Sequence, residues 1–231
     1  MTTSMSQRNE LIADWQQEER EPFAGWDFSY LEDRMFEDEP PWSYLARAGE
    51  LMDSAASVLD LDTGGGERLL LLHKHWPPRV VATEDWPPNF KLATERLSPH
   101  GVTVVDAHNS DIDPLPFGDL EFDLVLNRHG TFNSAEVARL LTPGGVFLTQ
   151  QVHGLWAEDL LAFFGVTPQW PNATLERYVP LLESAGLTIT TAQNWSGTLA
   201  FADVGAIVYY LKAVPWMVPG FSVTTHQEVL F

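Results

Sequence analysis

Short apolar runs and segments of helical periodicity alternate through the middle of this chain. The apolar runs are SVLDLD, RVVATE, VTVVDA, FDLVLNR and GGVFLTQQV, between residues 57 and 152. Helical patterns such as ERLLLLHKH, PNFKLATERL and SAEVARLL separate them. Because strands separated by helices form parallel sheets that are covered on both faces, the pattern predicts an α/β fold with a doubly wound, mainly parallel sheet.

The two flanks of this region have different patterns. Residues 1–53 begin with an amphipathic helical pattern, continue with closely spaced aromatic residues, and predict a helical extension or lid. Residues 54–231 are expected to form one domain, so that the whole chain is a single globular unit. After residue 152, LTITTAQNW favours a strand, and FADVGAIVYYLKAVPW fits a helix or a strand.

Composition and charge exclude several function classes. The chain has 13 basic and 32 acidic residues and a formal net charge of −19, so we expect neither nucleic acid nor an anionic membrane surface as a partner. It has no cysteine, which excludes disulfides, thiolate metal sites and a thiol nucleophile. With no signal peptide and no long apolar run, the expected location is the cytoplasm.

A glycine-rich turn follows the first apolar run of the predicted sheet. In LDLDTGGGERLL, the turn lies at the carboxyl end of a strand, where open α/β sheets bind ligands. Gly64 and Gly66 fit two glycines of a dinucleotide-binding motif, but Leu69 replaces the third. A nicotinamide-dependent oxidoreductase is therefore disfavoured, and no P-loop lysine follows the turn.

The motifs of residues 57–152 resemble those of class I S-adenosylmethionine-dependent methyltransferases, of the type 11 domain kind. LDLDTGGGE resembles the family's acid and glycine turn, LPFGDLEFDLV its fourth strand, and LLTPGGVFL its fifth. The resemblance implies a Rossmann-like fold and a methyltransferase that uses S-adenosylmethionine and releases S-adenosylhomocysteine. The expected acceptor is a small molecule.

The resemblance also implies the residues that contact the cofactor. Glu84 would bind the ribose hydroxyls, and Asp106 and Ala107 the adenine amino edge. Trp86 would stack on adenine, or it would pack in the core or at the entry to a helix, and the sequence leaves these interpretations open. The complete expected set is Asp60, Asp62, Thr63, Gly64, Gly66, Glu84, Asp85, Trp86, Asp106, Ala107 and Asn127.

Asp62 departs from the family pattern, since the first glycine of the turn would stand there. Asp60 and Asp62 lie two residues apart on the predicted strand, so their side chains are expected to point to the same side and could together hold the cofactor's ammonium. A second carboxylate would also repel the cofactor's own carboxylate. The sequence therefore leaves open a non-methylating binding or regulatory protein, with cofactor binding weakened by Asp62.

Candidate groups for the acceptor side follow the fourth strand, in NRHG. Asn127 lies at the strand end, Arg128 would hold an acidic acceptor, and His129 would serve as a base because free histidine titrates near neutrality. Weaker candidates are His153 and Tyr30. HKH at 73–75 places two histidines on different faces of a helix, so no metal site is expected. A monomer and a homodimer are both compatible with the sequence.

Overall fold

The computed structural model describes residues 5–107 and 114–231, which divide into two compact units. The sheet unit comprises Pro41–Val152 and Ala173–Asn194. The helical unit comprises the described residues up to Pro40, with His153–Asn172 and Trp195–Phe231. The division of the chain after residue 53, which the sequence pattern suggested, stays a prediction.

The sheet unit contains a five-stranded sheet flanked by helices. Its strands are β2 (Ser57–Leu61), β3 (Arg79–Glu84), β4 (Thr103–Asp106), β5 (Phe122–Arg128) and β6 (Leu141–Gln150). Its helices are α2 (Tyr44–Met52), α3 (Glu67–Leu71), α4 (Pro87–Leu97), α5 (Ser134–Leu140) and α7 (Leu175–Ser184). The strand order is β4-β3-β2-β5-β6 and every neighbouring pair is parallel, as the alternating pattern predicted.

Both faces of this sheet are buried, which explains its continuous apolar runs. Consecutive strand residues point to opposite faces, so Val58 joins one buried cluster and Leu59 the other. Leu124 and Val125 divide between the same two clusters. A parallel sheet covered in this way holds its strand ends firmly, and ligand-binding loops can extend from its carboxyl edge.

Two local patterns near strands have different outcomes. TPGG at 142–145 lies at the start of β6, and the ladder with β5 shifts register there, because Leu141 pairs with Phe122 whereas Val146 pairs with Leu124. Gly144 has a φ of +84°, which suits the glycine to this irregularity. Residues 187–195 form no strand, so that prediction was wrong.

The helical unit contains α1 (Met5–Arg20), α6 (Glu158–Phe163), α8 (Val204–Ala213) and α9 (Gln227–Leu230). It also holds a two-stranded antiparallel sheet, β1 (Met35–Glu37) with β7 (Leu199–Phe201). The segment that fitted a helix or a strand is divided between β7 and α8, and the Asp203 carboxylate caps α8 by accepting from the Ala206 N–H at 2.8 Å. Among the described residues, no helix is both long and apolar enough to cross a membrane.

Candidate functional site

The polar residues of the predicted site meet where the strand order reverses. Strand β2 lies between β3 and β5, and Leu61 at its end pairs with Asn127 near the end of β5. The chain leaves these two strands in opposite directions along the sheet. This opens a crevice at their carboxyl ends, the usual ligand site of such folds.

The glycine turn leaves β2 through three residues with positive φ. Asp62, Gly64 and Gly66 have φ values of +55°, +64° and +79°. The turn is tied to β3, since the Thr63 N–H donates to the Thr83 carbonyl at 2.9 Å and the Asp62 N–H to the Thr83 hydroxyl at 3.2 Å. Asp62, which stands where the family has its first glycine, thus takes the left-handed conformation that this glycine would take. Aspartate tolerates this conformation better than most residues.

The side chain of Asp62 lies against the loop that follows β5. A methyl group placed on Gly130 would lie 2.7 Å from Asp62 Cβ and even closer to its carboxylate. The strand alternation that would turn Asp60 and Asp62 to one side does not apply, because β2 ends at Leu61. Asp62 therefore fills space between the two loops of the crevice.

Glu84 connects the glycine turn to the end of β3. Its carboxylate accepts from the Gly64 N–H at 2.7 Å and from the Trp86 N–H at 3.0 Å. Burial raises the pKa of Glu84, and these two N–H groups oppose the rise. Asp85 is exposed, and Trp86 is 62% exposed, so Trp86 is not a core residue and its ring stays available to a ligand.

The Asp60 carboxylate carries an electrostatic cost in the crevice. Burial raises the pKa of its carboxyl to about 6, the negative charge of Glu84 adds to the rise, and the Thr63 hydroxyl opposes it. Protein atoms enclose Asp60 on nearly all sides, yet part of its surface remains accessible to water. A side chain with both properties lines a concave site.

Tyr44, in the first turn of α2, lies close to Asp60. Its hydroxyl is buried and lies near the Asn127 backbone, which lowers its pKa slightly, but among the described residues no group meets it in full hydrogen-bonding geometry. Burial and the Asp60 charge both raise its pKa, so the hydroxyl stays protonated. Buried hydroxyls without a partner are uncommon, and this one can bind a polar group in the crevice.

Asp106 and Ala107 lie on the neighbouring strand. Asp106 is exposed, ends β4 and pairs with Glu84 in the sheet register. Ala107 is buried. The acids expected at the ends of three successive strands are thus placed along one edge of the sheet.

Asn127 is fully buried at the end of β5, and its amide is bound on both sides. Its Nδ2 donates to the carbonyls of Leu61 and Thr131, both at 3.4 Å. Its Oδ1 accepts from the Thr149 hydroxyl at 3.2 Å and from Gln151 Nε2 at 2.6 Å. Asn127 therefore joins the ends of β2, β5 and β6, and it positions the loop after β5.

His129 lies next to Arg128 with a φ of +64°, and its N–H donates to the Gln150 carbonyl at 2.8 Å. His129 is exposed to solvent, although protein atoms lie close around much of the ring. Burial lowers the pKa of His129 to about 3, and the positive charges of Arg128 and Arg68 lower it further. The pKa of His129 is thus shifted down from the ordinary value on which its expected role as a base depends, and that role stays a prediction.

The remaining candidates lie elsewhere. Tyr30 and His153 belong to the helical unit. The Tyr30 ring packs against the Tyr209 ring in a tilted arrangement with 4.5 Å between ring centroids, and His153 Nδ1 accepts from the Leu155 N–H. His73 packs against Trp76, and His75 pairs with Asp53 at 2.9 Å. Among residues 5–107 and 114–231, no group of three metal-ligating side chains is present.

Sequence reasoning missed several polar residues of the crevice. Trp42 and Tyr44 were recognised only as two of several closely spaced aromatic residues, and Thr149, Gln150 and Gln151 were not recognised. Only the end of β6, two glutamines in a row after a strand, offered a signal. The rest depends on contacts between segments far apart in the chain.

Comparison with known proteins agrees with this geometry. Residues 59–149 match the family model described as a methyltransferase domain. A curated relative is the ubiquinone/menaquinone biosynthesis C-methyltransferase UbiE of Desulfotalea psychrophila, 34% identical over 109 residues. That alignment covers 44% of this chain and 42% of the relative, so the chain matches about two fifths of the relative's length.

Solved structures share the fold at low sequence identity. An S-adenosylmethionine-dependent methyltransferase from Aquifex aeolicus superposes with a TM-score of 0.53 at 18% identity, covering 86% of this chain and 98% of that one. The YcgJ protein of Bacillus subtilis gives a TM-score of 0.51 at 19% identity, covering 66% and 71%. Both are similar to this chain in architecture.

Proposed function

We propose that this protein transfers the methyl group of S-adenosylmethionine to a small-molecule acceptor, a proposal supported by the match of residues 59–149 to the methyltransferase domain model. The observation that carries the proposal is the enclosed Asp60 carboxylate at the point where the strand order reverses. Burial and the Glu84 charge raise the pKa of this carboxyl, so a cationic partner would stabilise its ionised form. The ammonium of S-adenosylmethionine would supply such a partner.

The residues of the crevice fit this cofactor. Asp60 and the unpartnered Tyr44 hydroxyl would hold its ammonium end, and Glu84 its ribose hydroxyls. Asp106 would meet the adenine edge, with Ala107 beside it. Gly64 offers close approach, because no atom lies within 4 Å of where its side chain would begin. When bound, the cofactor supplies a methyl carbon activated by its sulfonium.

The other residues of the crevice would align the acceptor and exclude water. Displacement at an activated methyl carbon requires an aligned nucleophile and exclusion of water more than it requires a catalytic base. Asn127 positions the loop after β5, which begins with His129, and His129 and the last strand residue, Arg128, would face the acceptor. With a net charge of −19, the protein is better suited to a small molecule than to nucleic acid.

Calorimetric titration of S-adenosylmethionine and S-adenosylhomocysteine tests the proposal. The protein should bind at micromolar concentrations, about −8 kcal/mol, and NAD should not bind. Asp62→Asn should tighten binding by about fivefold, because it removes about 1 kcal/mol of repulsion toward the cofactor's carboxylate while asparagine still tolerates a positive φ. Asp62→Gly should bind at least as tightly as Asp62→Asn.

The two Asp62 variants separate charge from volume. If only Asp62→Gly binds, the side chain has closed an inherited site, and the binding or regulatory alternative replaces methyl transfer. Binding of NAD in place of both adenosyl compounds would make the oxidoreductase the better assignment. If no variant binds any of the three, the cofactor assignment is wrong.

A further inference from the structure

A chain of hydrogen bonds within the sheet unit ends on His129. Trp42 Nε1 donates to Gln150 Oε1 at 3.1 Å, and Gln150 Nε2 lies 3.4 Å from His129 Nε2. Gln150 is the last residue of β6, and the end of β5 lies beside it because Arg128 and Gln150 pair in the ladder. Trp42 and Gln150, from two separate segments, are thus aligned toward Nε2 of His129.

The Trp42 N–H, the first donor in this series of hydrogen bonds, determines the direction of both bonds. An indole N–H can donate but not accept, so the atom of Gln150 that faces Trp42 must be its oxygen. The Gln150 NH₂ group then faces His129 and can only donate. His129 Nε2 must accept, and in a neutral ring the proton must be on Nδ1.

We propose that Trp42 and Gln150 are positioning residues that hold His129 as its Nδ1–H tautomer, and that His129 is a hydrogen-bond donor to the methyl acceptor rather than a base. The part that concerns the acceptor rests on the proposed methyl transfer. The part that concerns the tautomer does not, since every group in the chain belongs to the protein itself.

The proposal narrows the class of acceptor. In this tautomer Nδ1 has no lone pair to take up a proton, and the lone pair of Nε2 is bound by Gln150. A reacting group must therefore arrive in its nucleophilic form. The Nδ1–H, with the positive charges of Arg128 and Arg68 close enough to influence the ring, favours an acceptor that carries an anionic oxygen, such as a carboxylate or a phenolate.

Nitrogen-15 NMR of the histidine side chains of the ligand-free protein at pH 8 tests the tautomer. The His129 signals, assigned by their loss in His129→Asn, should show a protonated Nδ1 and an unprotonated Nε2. In Gln150→Glu, one carboxylate oxygen can still accept from Trp42 while the other now requires a donor from His129. The proton should therefore move to Nε2, and the His129 pKa should rise by at least one unit.

Two further variants complete the design. Trp42→Phe frees the Gln150 amide to rotate, so the tautomer balance should shift toward Nε2–H. Trp76→Phe is the matched control, because the Trp76 N–H donates to the Leu69 carbonyl instead and the His129 signals should not move.

An Nε2–H tautomer in the unmodified protein would overturn the proposal. So would an unchanged His129 spectrum in Gln150→Glu, the isosteric variant expected to fold even if Trp42→Phe does not. These measurements need no cofactor, so their failure can be told apart from failure of S-adenosylmethionine binding in the calorimeter.

Discussion

Asp60→Asn should weaken S-adenosylmethionine binding by at least 100-fold and, at the same time, stabilise the ligand-free protein. The loss of affinity follows from removing the enclosed carboxylate that would pair with the cofactor's ammonium, since breaking such a pair costs about 3–5 kcal/mol. The gain in stability follows from the same burial. A carboxyl pKa raised from its ordinary 3.8 to about 6 corresponds to about 3 kcal/mol at neutral pH, an upper bound because part of the side chain meets water.

The pH dependence of this gain has a definite sign. The folded protein keeps the Asp60 proton to a higher pH than the unfolded chain does, so the residue's contribution to stability falls as pH rises from about 4 to about 6. The difference between Asp60→Asn and the unmodified protein should therefore be small at pH 4, grow up to pH 6, and stay constant above it. Urea denaturation at several pH values measures the difference.

Binding has the opposite dependence on pH. Below about pH 6 the Asp60 proton must leave before the carboxylate can pair with a cation, so affinity should fall by up to tenfold for each further pH unit. Asp14→Asn is the control, an exposed aspartate on α1 whose substitution should change neither stability nor affinity. A variant at Asp60 that binds normally, or that is less stable at pH 8, would contradict the electrostatic account.

The sequence predicted the frame of the site because that frame is local. An apolar run followed by glycines predicts where β2 ends, and the spacing of Glu84 and Asp106 predicts two further strand ends on the same edge. The parallel register, in which Glu84 lies opposite Asp106, then follows from the fold class. These inferences require only short-range patterns and the rule that parallel strands end together.

What the sequence did not predict depends on contacts across the fold. The approach of Tyr44 to Asp60, the contact of Asp62 with Gly130 and the chain from Trp42 to His129 each join segments that are distant in sequence. The expected strand at 187–195 failed for a related reason. Apolar and polar residues alternate there, but alternation indicates which side chains favour burial and not whether a strand partner is available.

Gly66→Ala should destabilise the sheet unit by about 3 kcal/mol through two separate costs. Gly66 has a φ of +79°, which costs about 1–2 kcal/mol for a residue with a side chain. Its new methyl group would also lie 2.8 Å from Leu97 Cγ and Cδ1, and overpacking of this kind costs about 1–3 kcal/mol. Leu97 is fully buried in the cluster beneath the glycine turn, so it has no open space into which to move.

Gly101→Ala is the matched control for this measurement. Gly101 has a φ of +88°, but no atom lies within 4 Å of the added methyl group, so only the conformational cost of about 1–2 kcal/mol should remain in urea denaturation. In a Leu97→Ala background, Gly66→Ala should cost no more than this control, because the contact has been removed. If Gly66→Ala and Gly101→Ala lose the same stability when Leu97 is retained, close packing against α4 is not the reason that position 66 requires glycine.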